Sequence, residues 1–560
     1  MTKEAFLNLF PYPTIRKHQL EILTKIYNNY DKYDNFIIQA PTGTGKSAIA
    51  YTLCNSVPKA MILTGTKLLQ NQYMKEFPLF ECIKGRSSYK CNEKSDKNCL
   101  NAPCMTDDKF DNKNCIKTCC YQAALEKLKY DNAILTNYAC LINNASIKAR
   151  KNDVVVFDEA HNLEDQLVEI QAFNIDKEKL IDKYKLDEYI DDLEDTLATT
   201  MILTGLAFDA KSVKKFQYKN IELPRNVYIL KVIQELLYLK LKYFALEDDN
   251  DVKIREEITK LYNRLKVYTE SYNNPNWIVD VKDKNNIVIQ PLDISELFNK
   301  FTKNFNKKFF MSATIISVKD FVDTFKLNPH RTAYIEVDEV FNPTLSPIVS
   351  YPVGKMGYND IANTIPNIVK AVKDILDIHK NEKGIILTNN YKVTEAIIKG
   401  VDSKRLIHKY EKEYYYLSNE EMYEKHINGK KNSVLISPSM NTGVDLPDDQ
   451  CRFEIIVKLP YDSLGDKRIK YKAKEDRNWY LTRMIRTFIQ SCGRCVRNDK
   501  DWAVIYVLDS SFLDVMGKEK NKLSDTFYSR FKYNCEFDLK EFKEYINSTK
   551  NSLNDWDSLL

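Results

Sequence analysis

Glycine is scarce in this chain, with 14 in 560 residues, about a third of average usage. None lies between Gly205 and Gly354, and so long a glycine-free stretch predicts regular structure, mostly helical. Also missing is any run of about 18 apolar residues, and the opening MTKEAFLNLF is too short and too polar for a secretory segment. These absences argue against a membrane protein and set the expectation of a cytoplasmic one, in a bacterium or, for a viral chain, in its host. Charge of one sign is missing too. Lys+Arg (83) and Asp+Glu (78) nearly cancel to +5, which is too weak to diagnose nucleic-acid binding, so any basic groove must be built locally. With 44% hydrophobic and 29% charged residues, the chain is a globular protein long enough for three or four units.

Cysteine is abundant by contrast, and unevenly placed. Seven of the 13 fall between Cys82 and Cys120. In a reducing compartment such a cluster reads as free thiols or metal ligands rather than a disulfide scaffold. It lies between two further signals, APTGTGKS (Ala40 to Ser47) and DEAH (Asp158 to His161).

Short apolar runs of buried-strand length, each ending in polar residues, accompany these signals: NFIIQA (Asn35 to Ala40), AMILTGT (Ala60 to Thr66), NAILTNY (Asn132 to Tyr138) and DVVVFDEAH (Asp153 to His161). A second series comprises GIILTNN (Gly384 to Asn390), SVLISPS, FEIIVKLP and WAVIYVLD (Trp502 to Asp509). Both series predict parallel α/β domains, whose ligands bind at the carboxyl ends of the strands. From about Ala172 to Val288 the pattern changes to charged amphipathic stretches with apolar residues three and four apart. A helical insertion with a solvated face follows, and no residue there stands out as functional.

A glycine-rich turn between a strand and a helix cradles phosphates on its amides. Thr42, Gly43, Thr44, Gly45, Lys46 and Ser47 form the nucleotide-binding set, with Lys46 on the β- and γ-phosphates and Ser47 on Mg²⁺. Ala40 replaces the first glycine of the general pattern. Asp158 closes a strand and would ligate Mg²⁺, while Glu159 would orient or deprotonate the attacking water. MSATI (Met311 to Ile315) and QSCGRCVR (Gln490 to Arg497) complete an ordered set. Two arginines three apart usually mark a solvated helix face. Here Gln490 and Gly493 precede them in the order QxxGRxxR, so Arg494 and Arg497 are assigned to transition-state charge on the γ-phosphate. Cys492 and Cys495 occupy variable positions of this motif and read as incidental.

In this order the chain resembles the superfamily 2 helicases, specifically the XPD/DinG-type iron–sulfur helicases. KGRSSYKC (Lys84 to Cys91), TNYACL, IQPLDISEL (Ile289 to Leu297) and SPSMNTGVDLPDD (Ser437 to Asp449) followed by IVKLPY carry the resemblance beyond the shared core. It implies an α/β fold with two RecA-like motor domains, the first interrupted by an iron–sulfur insert and a helical arch. The corresponding segments are 1–80, 122–171 and 289–335 for motor domain one, 81–121 for the cluster insert, 172–288 for the arch and 336–560 for motor domain two. By the same resemblance Gln19, with Arg16, serves adenine recognition, Thr64 and Thr66 face the DNA backbone, and Asp445 couples ATP to DNA. Thr442 departs from the family's usual glutamate.

The resemblance starts the [4Fe–4S] ligands at Cys91, the cysteine of GRxxYxC. It continues through Cys99 and Cys104 and, counting back from Asn137-Tyr138, ends at Cys119 rather than Cys120, with Cys115 a further candidate. Zinc is the competing assignment, because Cys99, Cys104, Cys115 and Cys119 make CxxxxC and CxxxC pairs. The implied activity is ATP-dependent, 5′ to 3′ unwinding of DNA by a monomer acting on single-stranded and tailed duplex DNA in repair, recombination or replication. The alternative is a nucleic-acid-dependent ATPase that remodels DNA or RNA without processive unwinding. A purely structural module would have little need of intact Lys46, Asp158, Glu159, Arg494 and Arg497.

Overall fold

The structure is a computed structural model, and it describes all residues except 42, 79, 107–112, 191–207, 210–213, 219–220, 245–248, 275, 338–341, 413–414, 441–445, 497–500 and 558–560. Two parallel seven-stranded sheets form two RecA-like lobes. In lobe one the strands run in the order Thr332–Glu336, Asn35–Gln39, Phe305–Ser312, Asn152–Asp158, Ala60–Thr64, Ala133–Asn137, Glu81–Cys82. In lobe two the order is Leu406–Ile407, Val434–Ser437, Gly384–Leu387, Phe453–Ile456, Val504–Asp509, Ile348–Gly354, Phe531–Tyr533.

The sequence explains why these sheets are interior. Ala60–Thr64 and Val504–Asp509 are buried along their whole length, as continuous apolar strands covered on both faces must be. Helices on either side supply the cover. Ile22, Leu53 and Tyr73 pack on one face of the first sheet, and Leu163, Phe298 and Phe325 on the other. Ile368 and Ile397 flank one face of the second sheet, and Ile485 and Phe512 the other.

The glycine-free stretch departs from its expected helical character. Helices Arg225–Tyr243 and Asp249–Glu270 are present, but Trp277–Asp283 and Asn286–Pro291 are strands, joined by Phe173–Asp176 in a three-stranded antiparallel sheet. NIVIQP alternates half-buried and buried side chains, a period-two signal in β-branched residues that glycine scarcity does not report. Pro291 closes that sheet, so IQPLDISEL begins inside the insertion's own strand. Among the described residues no helix is long and apolar enough to cross a membrane.

Gly384 opens an interior strand of lobe two, and a β-carbon there would lie 2.4–2.6 Å from ring carbons of the fully buried Phe453. The ring in turn stacks on His379 at 4.5 Å. Gly384→Ala should therefore cost about 1–3 kcal/mol through overpacking, read as a lower thermal midpoint of lobe two. An unchanged midpoint would mean that the ring yields freely.

Candidate active site: a nucleotide cleft and a cysteine-lined cavity

The buried strand Asn35–Gln39 delivers the chain to the phosphate loop, and helix Lys46–Asn55 leaves it. Gly43 and Gly45 adopt φ of +84° and +81°, the left-handed region in which a β-carbon is strained. Gly45 is doubly constrained, since a β-carbon would also meet Gln19 Nε2 at 2.4 Å. Gln19 Nε2 donates to Thr44 O (2.9 Å), Arg16 Nη1 donates to Gly43 O (3.0 Å), and Gln19 Oε1 accepts from Arg16 N (2.9 Å). The structure thus brings Arg16 and Gln19 onto the loop. Lys46 Nζ donates to Ala40 O at 3.1 Å and lies across its own loop, and Ser47 is half-buried in the first helical turn. A cation and unpaired amides at a helix start make an anion site. Thr42 lies outside the described residues.

Asp158 ends the next-but-one strand and is 5% exposed. Tyr73 Oη donates to its Oδ2 (2.9 Å) and the Glu159 amide to its Oδ1 (3.0 Å). Burial and the Glu159 charge push its carboxyl up to about 6, against the opposing pull of Lys46, Tyr73 and the Glu159 amide. Such a group is costly without a cation, which fits the divalent ion expected with a bound nucleotide triphosphate. Glu159 itself takes φ +50°, an uncommon conformation for a non-glycine residue.

From Glu159 a polar chain crosses into lobe two. His161 Nδ1 lies 2.7 Å from Ser312 Oγ and 3.2 Å from Glu159 Oε2. Gln490 Nε2 donates to His161 Nε2 (2.6 Å) and to Thr314 Oγ1 (3.0 Å). Because the amide nitrogen only donates, His161 Nε2 accepts and the ring proton sits on Nδ1. Arg486 Nη1 donates to the His161 carbonyl at 3.2 Å. DEAH, MSATI and the glutamine of QxxGRxxR therefore form one hydrogen-bonded unit.

The remaining predicted residues are placed unequally. Arg494 follows helix Arg477–Cys492 and is buried. Its charge acts on Glu454, whose carboxyl is raised to about 8 by complete burial against the pull of Arg494 and Arg530. Arg497, Thr442 and Asp445 lie outside the described residues. Thr64 is a correction: it is fully buried in an interior strand and donates to Thr66 O, so it supports the loop and presents no hydroxyl to a ligand. Thr66 is exposed and caps helix Lys67–Glu76 by accepting from Leu69 N. Sequence reasoning missed Tyr73 as a partner of Asp158, Ser312 and Arg486 as partners of His161, and Thr314 as a partner of Gln490. Only Ser312 and Thr314, inside MSATI, carried a signal.

The cysteine insert encloses a cavity of ≈ 150 Å³ lined by Cys91, Cys99, Cys104, Cys115, Cys119 and Arg86, among others. Cys99 Sγ is 3.9 Å from Cys119 Sγ. Burial and neighbouring sulfurs push the Cys99 thiol up to about 12 and that of Cys115 up to about 11. Thiols so placed cannot ionise together without a cation among them, and that donor set fits a thiolate-bound metal. Among the described residues no three ligand side chains are gathered for a single ion; the sulfurs instead stand around the cavity. Cys120 Sγ donates to Lys90 O at 2.9 Å and is not part of the lining. Cys120 Sγ nevertheless lies 4.0 Å from Cys99 Sγ, while Cys115 and Cys119 both face the cavity.

Residues 372–528 match the helicase C-terminal domain family, and residues 13–188 match the type III restriction enzyme res subunit family. The chain is 21% identical to the probable ATP-dependent helicase MJ0942 of Methanocaldococcus jannaschii, over 92% of this chain and 95% of that one. A solved XPD helicase superposes with TM-score 0.63 at 16% identity, covering 93% of this chain and all of the other. Xpd4 of S. tokodaii gives 0.60 at 17%, covering 92% and all.

Tyr73→Phe removes a hydroxyl that stabilises the Asp158 carboxylate. Proton competition against Mg²⁺-dependent nucleotide binding, expected as pH falls through about 6 in the parent, should then begin at a higher pH. Titrating nucleotide affinity against pH with and without Mg²⁺ checks this, and an unmoved midpoint would remove Tyr73 from the metal's surroundings.

Proposed function

We propose, from the premise that motifs and fold align this chain with the XPD/DinG-type superfamily 2 helicases, that it is an ATP-dependent DNA helicase moving 5′ to 3′ along single-stranded DNA. The observation that supports this most is the polar chain from Glu159 through His161 to Gln490. Chemistry on the phosphate loop of lobe one is thereby wired to lobe two, as a motor needs and a passive nucleotide binder does not.

In this reading Lys46 leaves the Ala40 carbonyl for the β- and γ-phosphates, while the amides around Gly43 and Gly45 surround phosphate oxygens. Ser47 and Asp158 hold Mg²⁺, which supplies charge neutralisation on the phosphates. Glu159, aimed by its left-handed backbone, orients the attacking water and accepts its proton. Arg494 and Arg497 stabilise charge on the transferred phosphoryl group, and Gln490 reports its presence through His161. Cys91, Cys99, Cys104 and Cys119 hold a [4Fe–4S] cluster whose role is to stiffen the insert beside the DNA path. DNA repair, recombination or replication is the setting proposed for such an activity.

The test is strand displacement on tailed duplexes. A 5′-tailed duplex should be unwound and a 3′-tailed one left intact, while Lys46→Ala abolishes hydrolysis but retains single-strand binding. DNA affinity should fall with salt at a log–log slope of about −0.7 per phosphate contacted. Unwinding from the 3′ tail alone overturns the polarity, and ATP turnover without unwinding of either substrate favours the remodelling activity.

The cluster has its own measurement. Anaerobically purified protein should contain about four irons per chain, and Cys119→Ser should lose them while Cys120→Ser keeps them. Stoichiometric zinc without iron or sulfide would replace the assignment.

A further inference from the structure

Three residues beyond His161, on helix Leu163–Gln171, Glu164 is 8% exposed. An isolated buried carboxylate is strongly disfavoured, yet every partner of this one is contributed by lobe two. Arg468 Nη2 donates to Oε1 at 2.6 Å, Lys472 Nζ to the same oxygen at 2.7 Å, and Trp479 Nε1 to Oε2 at 3.2 Å. Burial alone would raise the carboxyl, but Lys472, Arg468 and Arg483 hold it well below the usual glutamate range.

The surroundings complete the clamp. Arg468 Nε also donates to Pro291 O (2.8 Å), and the Lys472 ammonium lies 4.2 Å from the Trp479 ring centre. Next door, Arg483 binds Asp165 through two bonds of 2.9 Å each and also reaches Asp462. Beside the clamp lies a cavity of ≈ 240 Å³ lined by Asp293, Asp320, Asp323, Asp476, Lys472 and Trp479, among others. Glu164 and Lys472 both line this cavity, so their contact stands at its wall. A charged contact that spans one interface and is made entirely from the two sides can form or break as a unit, as a two-state joint requires.

We propose that Glu164 is a positioning residue that latches the two lobes together: the Arg468, Lys472 and Trp479 side chains of lobe two close on it directly behind the DEAH segment, so that lobe motion and the acid pair move as one. The latch is the contact that opens when the lobes separate during turnover. It rests on the motor reading only for its role in turnover, since the closed contact itself can be measured without nucleotide.

The experiment uses the full chain with spectroscopic labels carried by non-natural amino acids at Tyr130 and Tyr358, which are 79% and 95% exposed in lobes one and two, so the cysteines stay untouched. Without nucleotide the parent should show a short interlobe distance. In Glu164→Gln the closed population should fall at least tenfold, and DNA-stimulated ATP turnover should fall with it. The double variant Glu164→Gln with Lys472→Gln, which restores the charge balance, should recover part of the closed population. An interlobe distance unchanged in Glu164→Gln overturns the latch, whatever happens to turnover. Opening that the double variant does not reverse assigns the effect to packing and overturns the charge mechanism. Should Glu164→Gln fail to fold, Lys472→Gln probes the same contact from lobe two, and an unchanged distance there overturns it equally. Loss of helicase activity in the parent, with the distances behaving as expected, would refute the motor reading and leave the latch standing.

Discussion

Everything in the cleft depends on how the carboxyl end of strand Asn152–Asp158 meets helix Arg477–Cys492 of the other lobe. Asp158 and Glu159 are the acids that a phosphoryl-transfer site needs, and within the next six residues the chain hands Gln490, Arg486, Arg468 and Arg483 their partners. Lobe two has no phosphate loop of its own among the described residues. Among the described residues, its side-chain contacts to the segment from His161 to Asp165 come through this helix and its neighbour Lys467–Glu475. The pairs across this seam are charged and hydrogen-bonded, although apolar side chains of the same volume would hold the lobes at least as well.

Three buried carboxylates show how the same burial gives different chemistry. Asp158 is raised to about 6 by burial and by the Glu159 charge, which together outweigh Lys46, so it is left short of a cation. Glu164 is held low because lysine and arginine surround it, so it is an anion already satisfied by protein. Glu454 is raised to about 8 even with Arg494 and Arg530 acting on it, because complete burial outweighs both. Desolvation is common to all three, and the local charges decide which acid lacks a compensating cation, which is paired across the lobes and which sits neutral in the sheet near neutral pH.

Both parallel sheets were legible in the sequence, since strands buried on two faces are written as unbroken apolar runs. The phosphate loop and DEAH were legible because their residue order is the geometry: a tight turn, amides and a cation must be contiguous to surround a phosphate. Non-local partners were not legible. Tyr73 lies 85 residues from Asp158, and Glu164 lies 304 residues from Arg468, so no local periodicity links them. Thr64 was misread because the resemblance gave it a DNA-facing role, whereas it is the last residue of an interior strand, paired with Asn137 and fully buried. Scarce glycine likewise predicted helix where NIVIQP forms a strand, because glycine content is silent about the period of the residues that remain.

The cysteine insert owes its mechanical character to where it leaves the sheet. It departs after Glu81–Cys82, the edge strand, and returns into Ala133–Asn137, the strand paired beside it. Both ends are therefore fixed by the same hydrogen-bonded ladder, and the buried sulfurs between them are the insert's main means of internal order in a segment with few apolar side chains. Its short helix Pro103–Thr106 touches helix Asp249–Glu270 of the second insertion. That insertion is rooted in lobe one through the sheet of Phe173–Asp176, against which Asp249–Glu270 also packs. Lobe one, the cysteine insert and the helical insertion thus form a closed circuit of contacts. A group that cross-linked the sulfurs would stiffen the circuit as a whole, so its loss would be felt at the sheet edge and at the helix contact alike.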